Sequence, residues 1–397
     1  MPDSGTAPAV EELEPRVAFA RPDIGDAEIS AVLATLHSGW LTTGPRVAEF
    51  ERQFAEYVGA RHAVAVSSCT AALHLSLLAG GVGPGSEVVT TPLTFCATVN
   101  AIIHSGARPV FADVDVDTMN VNIDSVEHAV TGRTAAILPV HFGGRPADLA
   151  ALRRLAIKFD LRLIEDAAHA LGAAVNGVKV GAFGDFTCFS FYSTKNLTTG
   201  EGGMVTMPSA EWASVVRVAS RHGVSESSWS RQSPSRTPDY DVIYPGFKYN
   251  MTDMQAAIGL EQLARSAALF ARREAVWQRY DDELSNLPIE RPGQTPDGTV
   301  HARHLYTVLV DPERCGWSRD GLQQFLADHG VQTSVHFRSL HLHSYYAQEF
   351  GLRRGMFPNA ERVSDRTLSL PLSSSLTDPE VDRVIVVLQK AFEGRHA

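Results

Sequence analysis

Cysteine is scarce. Four residues among 397, Cys69, Cys96, Cys188 and Cys315, are too few and too scattered for a disulfide scaffold, and no CxxC pair offers a zinc or redox motif. Long apolar runs are missing as well, which excludes a membrane-spanning helix. The stretch from Met1 to Glu14 is small, polar and acidic, without the basic and apolar regions of a signal peptide. The expected compartment is the cytoplasm, with reduced thiols. Positive charge is in deficit: 35 Lys and Arg against 45 Asp and Glu leave a formal charge of -10. That balance excludes a general nucleic-acid binder but leaves room for a local pocket that takes one small anion. Repeats and low-complexity tracts are absent. What remains is an ordinary globular composition, 44% hydrophobic and 20% charged, on a chain long enough that two domains are expected.

Helical spacing runs over Ile29 to Leu36 and Val47 to Tyr57, separated by the turn Ser38-Gly-Trp-Leu-Thr-Thr-Gly-Pro45. Short apolar runs then alternate with helical stretches. Strands are expected at His62 to Ser67, Glu87 to Thr91, Arg108 to Ala112, Ala135 to Val140, Arg162 to Ile164 and Phe186 to Phe191, with helices at Ala71 to Leu78 and Ala97 to His104. This alternation predicts a largely parallel sheet covered by helices, with ligands beyond the carboxyl ends of its strands. Ser225 to Tyr240, Ser-rich and containing Trp229, reads as a long loop. The capping box Thr252/Gln255 opens a helical segment towards Leu284. Beyond it a strand at Leu305 to Val310, a helix at Arg319 to His329, a strand at Val331 to Phe337 and a last helix entered by Thr377 and Glu380 predict a smaller α/β unit.

Four features bear on chemistry. Lys195 lies in a turn after an apolar strand and before the glycines Gly200, Gly202 and Gly203, a setting that suits an amine forming a Schiff base with a carbonyl cofactor. Asp166 ends the strand through Ile164 and is placed to pair with a protonated pyridine nitrogen. Ser68-Cys69-Thr70 opens a helix whose backbone N–H groups suit a phosphate, with Ser190 as a second contact. Phe95 leaves a strand exit where a ring would stack on a planar cofactor. Each has an ordinary explanation when taken alone: a solvated lysine, an N-cap of a helix over Ala167 to Leu171, plain helix capping, core packing. Together they supply an amine, an acid, a phosphate cradle and a stacking face at one sheet edge, which is what a pyridoxal-phosphate (PLP) site requires.

At these residues the chain resembles the DegT/DnrJ/StrS-type aminotransferases, the sugar-modifying branch of the fold-type-I PLP enzymes, over about Ala18 to Leu388. The likeness is carried by Ser38 to Gly44, Ile164-Glu-Asp-Ala-Ala-His169, Ser190-Phe-Tyr-Ser-Thr-Lys195, Gly200-Glu-Gly-Gly203, Gly246-Phe-Lys-Tyr-Asn250 and Leu368-Ser-Leu-Pro-Leu372. It implies an α/β fold with a large domain, 18–265, built on a mainly parallel seven-stranded sheet, a small C-terminal α/β domain, 266–397, and an N-terminal extension, 1–17. It implies Lys195 as the Schiff-base lysine, Asp166 on the pyridine nitrogen and His169 beside the ring hydroxyl, where many relatives carry Gln. Cys69, Thr70 and Ser190 would line the phosphate, Asn250 would reach in from a second subunit of a homodimer with shared sites, and Phe95 would stack.

Within the family, Gly246 to Asp253 and His336 to Tyr346 resemble the branch that aminates C4, closest to the enzymes forming 4-amino-arabinose on uridine-diphosphate sugars. Lys248, His336 and Arg338 would then meet the sugar diphosphate. His336, His341 and His343 lack a zinc spacing, so no metal is expected. The implied reaction runs in two halves, with glutamate leaving as 2-oxoglutarate and a nucleotide-linked 4-keto sugar accepting the amino group. A C3 acceptor is the alternative. A dehydratase would carry His at the position of Lys195, and a non-catalytic regulator would not need the whole constellation.

Overall fold

Short runs of β-branched and apolar residues form twelve strands in the computed structural model, which describes residues 16–225 and 240–393. They are β1 His62–Val66, β2 Glu87–Thr90, β3 Arg108–Phe111, β4 Thr134–Leu138, β5 Arg162–Asp166, β6 Ala174–Val175, β7 Val178–Lys179, β8 Phe186–Ser190, β9 Gly203–Met207, β10 Thr299–Val300, β11 Tyr306–Leu309 and β12 Thr367–Leu370. Seven of them make the central sheet in the order β1-β9-β8-β5-β4-β2-β3. All its pairs are parallel except those of β9, which runs antiparallel to both β1 and β8. The α/β class is as expected. The antiparallel β9 was hidden in the glycine-rich stretch after Lys195, where Met204-Val-Thr-Met is too short to announce a strand.

Burial follows from the topology. The core strands are buried on both faces, β2 along its whole length, so they read as continuous apolar runs without alternation. One face packs on the helix Cys69–Ala79, where Leu73, Leu75 and Leu77 are fully covered, and another on Phe50 and Phe54 of the helix Pro45–Val58. That second helix is capped from a distance. Asp253 is buried, and its carboxylate accepts from the backbone N–H of Gly44, Arg46 and Val47 at 2.8, 3.1 and 3.0 Å, a negative charge at a helix N-terminus.

Three expectations need correction. The segment opened by Thr252 has its capping box, but it is two helices, Asp253–Ala264 and Ser266–Glu283, broken at Arg265. The Arg265 side chain is held there by Asp23 and Glu28. Val331 to Phe337 is not a strand: Val331 bridges Val17 and Ser334 bridges Ser369 on the open edge of β12, two different partners met one residue at a time, so no continuous ladder forms. Ala167 to Leu171 forms turns and no helix, so Asp166 is not an N-cap. The loop expected over Ser225 to Tyr240 falls, apart from its end residues, outside the described part of the chain.

The C-terminal residues gather around a separate apolar cluster of Trp277, Tyr280, Tyr306, Leu322, Leu368 and Leu388, with Val17 packed into it. Among the described residues no helix is long and apolar enough to cross a membrane.

Candidate active site

Strand ends decide where the chemistry sits. β5 delivers Asp166, β8 delivers Ser190 and the turn that carries Lys195, and β1 leads into the helix begun by Cys69 and Thr70. These residues, with Phe95, His169 and His336, line one cavity of about 650 Å³. Lys248, Asn250 and Arg338 do not line it. Lys248 is exposed and bridges Arg221. Asn250 bridges Val66 and donates from Nδ2 to Thr43 Oγ1 at 2.7 Å. Arg338 is exposed and donates to the Leu342 carbonyl at 2.9 Å. His336 is therefore separated from the two cations expected beside it. Its Nδ1 meets Ser369 Oγ at 2.9 Å, and burial, helped by Lys195, pushes its pKa down to about 4, so it is neutral.

Lys195 turns into the cavity from a tight bend in which its N–H donates to the Tyr192 carbonyl at 2.9 Å. Burial pushes its pKa down to about 8, against the opposing pull of Cys69 and Asp166. A fraction of the amine is thus free base near neutrality, far more than at a surface lysine. Asp166 faces the same space. Burial raises its carboxyl pKa, while Thr98 Oγ1 at 2.7 Å from Oδ2 and the Ala168 N–H at 3.1 Å from Oδ1 hold it down. A buried carboxylate with few donors asks for a cationic partner.

His169 is wedged between His304, at a ring distance of 4.4 Å, and Phe337, stacked at 6.0 Å. Burial, with Lys195 nearby, holds its pKa well below the usual imidazole value, and its buried Nδ1 has no hydrogen-bond partner in the structure. At the helix start Ser68 Oγ accepts from the Ala71 N–H at 3.1 Å. Gly203 lies against this start: a Cβ there would fall 2.5 Å from the Ser68 carbonyl oxygen, so glycine is what lets the sheet approach the cradle. Phe95 is the N-cap of the helix Cys96–His104, 60% exposed, with its ring 6.3 Å from Phe337.

These features fit PLP: a buried amine for its aldehyde, a buried carboxylate for its ring nitrogen, an orphaned imidazole nitrogen for its ring oxygen, and backbone donors for its phosphate.

Sequence reasoning missed Thr94, Thr98, Asn196 and His304. The two threonines carry a faint signal, an i, i+4 pair at a helix start. His304 carries none. It arrives because the strap Ala302 to Leu305 hydrogen-bonds to Gly143 and Gly144. Asn196 Nδ2 donates to the Ala302 carbonyl at 2.6 Å, which turns its Oδ1 to His304 Nδ1 at 2.9 Å. An amide oxygen only accepts, so the proton of His304 sits on Nδ1.

The DegT/DnrJ/EryC1/StrS aminotransferase family model matches residues 22–389. The spore coat polysaccharide biosynthesis protein SpsC of Bacillus subtilis (strain 168) is 48% identical over 378 residues, 95% of this chain and 97% of the relative. Spr1654 of Streptococcus pneumoniae, described as a sugar aminotransferase and solved in PMP and PLP forms, superposes in its PMP form with a TM-score of 0.89 at 34% identity over 95% of this chain and 99% of its own. The aminotransferase TlmJ of Streptoalloteichus hindustanus gives 0.88 at 35% identity over 96% of this chain and 100% of its own.

Proposed function

The chain belongs to the DegT/DnrJ/EryC1/StrS aminotransferase family, and from that premise we propose that it moves an amino group from glutamate to the 4-keto group of a nucleotide-linked sugar, giving the 4-amino sugar. The enzyme is a PLP-dependent sugar aminotransferase. The observation that carries the residue roles is the pairing, across one cavity, of Lys195, its pKa lowered by burial to about 8, with the buried acid Asp166.

Bound PLP supplies an aldehyde carbon and a protonated ring that draws electrons from the substrate. Asp166 holds that ring protonated through its nitrogen, and His169 Nδ1 donates to or accepts from the ring oxygen. Cys69, Thr70 and Ser190 surround the phosphate, and Phe95 covers the ring face. Lys195 binds the cofactor at rest. As an amine its Nζ would take the proton from the donor's α-carbon and later give one to the sugar carbon, a transfer its lowered pKa suits.

Charge supports a second copy in the site. Among the described residues lining the cavity, Lys195 is the only lysine or arginine, too little for a cofactor phosphate and a sugar diphosphate. Lys248 and Asn250 lie outside their own cavity, on the segment Gly246 to Asn250, as residues serving a neighbouring copy would. Arg338 and His336, with Lys248, would meet the sugar diphosphate. A homodimer with shared sites, working in the cytoplasm, is the proposed assembly. The choice of C4 over C3 is supported by the resemblance of the Gly246 and His336 stretches alone.

The test follows the cofactor absorbance of the purified holoenzyme on addition of glutamate, then of a panel of 4-keto and 3-keto nucleotide sugars. Loss of the PLP band with glutamate and its return with a 4-keto sugar is expected. Recovery only with 3-keto sugars would move the reaction to C3, and a band that no amino donor changes would sink transamination here.

A further inference from the structure

Asp166 is held by more than the strand that ends on it. Thr98 Oγ1 donates to its Oδ2 at 2.7 Å, and Thr94 Oγ1 lies 2.8 Å from Thr98 Oγ1. Both threonines are buried. A hydroxyl has one proton. Thr98 spends its proton on the carboxylate, which can only accept, so the second bond must run from Thr94 to Thr98. The two side chains therefore form a directed relay, Thr94 to Thr98 to Asp166, in which each bond polarises the next. Thr98 also stands in the first turn of the helix Cys96–His104, where the backbone dipole favours a negative charge. The same turn carries Phe95, so one helix start sets both the stacking ring and the acid.

The titratable groups facing Asp166 are Lys195 from the turn after β8, Cys188 from β8, Cys69 from the helix Cys69–Ala79 and His141 beyond β4. Lys195 and His141 favour the ionised carboxyl, whereas burial disfavours it, and the bond from Thr98 is the largest single effect on the ionised side.

We propose that Thr98, with Thr94 behind it, is a positioning residue that keeps the Asp166 carboxylate ionised and turned towards the cofactor ring. This rests on the reading that Asp166 meets the ring nitrogen of PLP. A bond that favours the ionised form lowers the carboxyl pKa. Without it Asp166 takes up its proton at a higher pH, and the grip on the ring nitrogen is lost earlier as acid is added.

The experiment measures PLP dissociation from the holoprotein by cofactor absorbance across the acid-to-neutral range, without substrate, for wild type, Thr98→Val, Thr98→Ser and Thr94→Val. Thr98→Val is expected to weaken PLP roughly tenfold at neutral pH, the worth of a hydrogen bond to a charged group, and to move the acid limb of PLP retention to higher pH. Thr98→Ser keeps the hydroxyl and restores both. Thr94→Val shifts the limb in the same direction by less. An acid limb unmoved in Thr98→Val overturns the proposal, as does a loss of affinity uniform in pH that Thr98→Ser fails to restore. If Thr98→Val does not fold, Thr94→Val, which leaves the hydroxyl on Asp166, decides by the same limb. If the wild-type chain shows no borohydride-trapped pyridoxyl group on Lys195, the cofactor's placement falls and the role of Thr98 with it, a result distinct from an unmoved limb.

Discussion

At the scale of single residues, the site works by taking ordinary side chains out of water. Lys195 is the clearest case. Its amine attacks an aldehyde only as the free base, and burial brings its pKa down to about 8. For apoprotein mixed with PLP, the rate of cofactor capture should rise about tenfold per pH unit below about 8 and level off above it, since the neutral fraction sets the rate. Stopped-flow absorbance measures this, and a profile still rising towards pH 10, about the value of a solvated lysine, would mean that the side chain is not desolvated in solution. Lys195, Asp166 and Phe95 were legible because each follows an apolar run, and strand exits are where α/β sheets bind ligands. Thr98 and His304 were not, since a threonine in a helix start and a histidine in a strap look like ordinary packing until the chain has folded.

At the scale of elements, local codes held where a cap or an apolar run could act by itself. The capping boxes at Thr252 and Thr377 both form. Long-range caps were invisible. Asp253 satisfies three backbone donors of a helix about two hundred residues earlier in the chain, a link that depends on tertiary contact alone. Asp253→Ala leaves those donors buried without a partner and should cost about 2–3 kcal/mol of stability. Chemical denaturation at fixed protein concentration checks this, and a loss below about 0.5 kcal/mol, the noise of surface substitutions, would mean that water replaces the carboxylate. The failed strand at Val331 to Phe337 carries the same lesson. Its apolar run suited a strand, yet a strand needs a continuous ladder, and this segment meets Val17 and the open edge of β12 at Ser369 through single bridges to different partners.

At the scale of the whole molecule, the proposed sharing of sites between two copies has a counting test. Lys195→Ala and Asn250→Ala each disable a site, but in a mixed dimer the two lesions fall in the same site if Asn250 acts across the interface, leaving the other site intact. Mixing the two inactive variants under subunit exchange should then recover about a quarter of wild-type turnover, half the dimers being mixed with one good site each. If Asn250 serves its own subunit, mixing recovers nothing. The boundary between the two units is proposed at Arg265, where the helix breaks and its guanidinium is held by Asp23 and Glu28. What the sequence by itself determined was the α/β class, most strands of the sheet and the set of strand exits that bear the chemistry, because apolar periodicity and caps act over a few neighbouring residues. Only the tertiary structure decided the antiparallel insertion of β9, the relay behind Asp166, the histidine wedged beside His169, and the exclusion of Lys248, Asn250 and Arg338 from their own cavity. Those depend on which distant segments meet, and burial, hydrogen bonding and charge take effect only once they do.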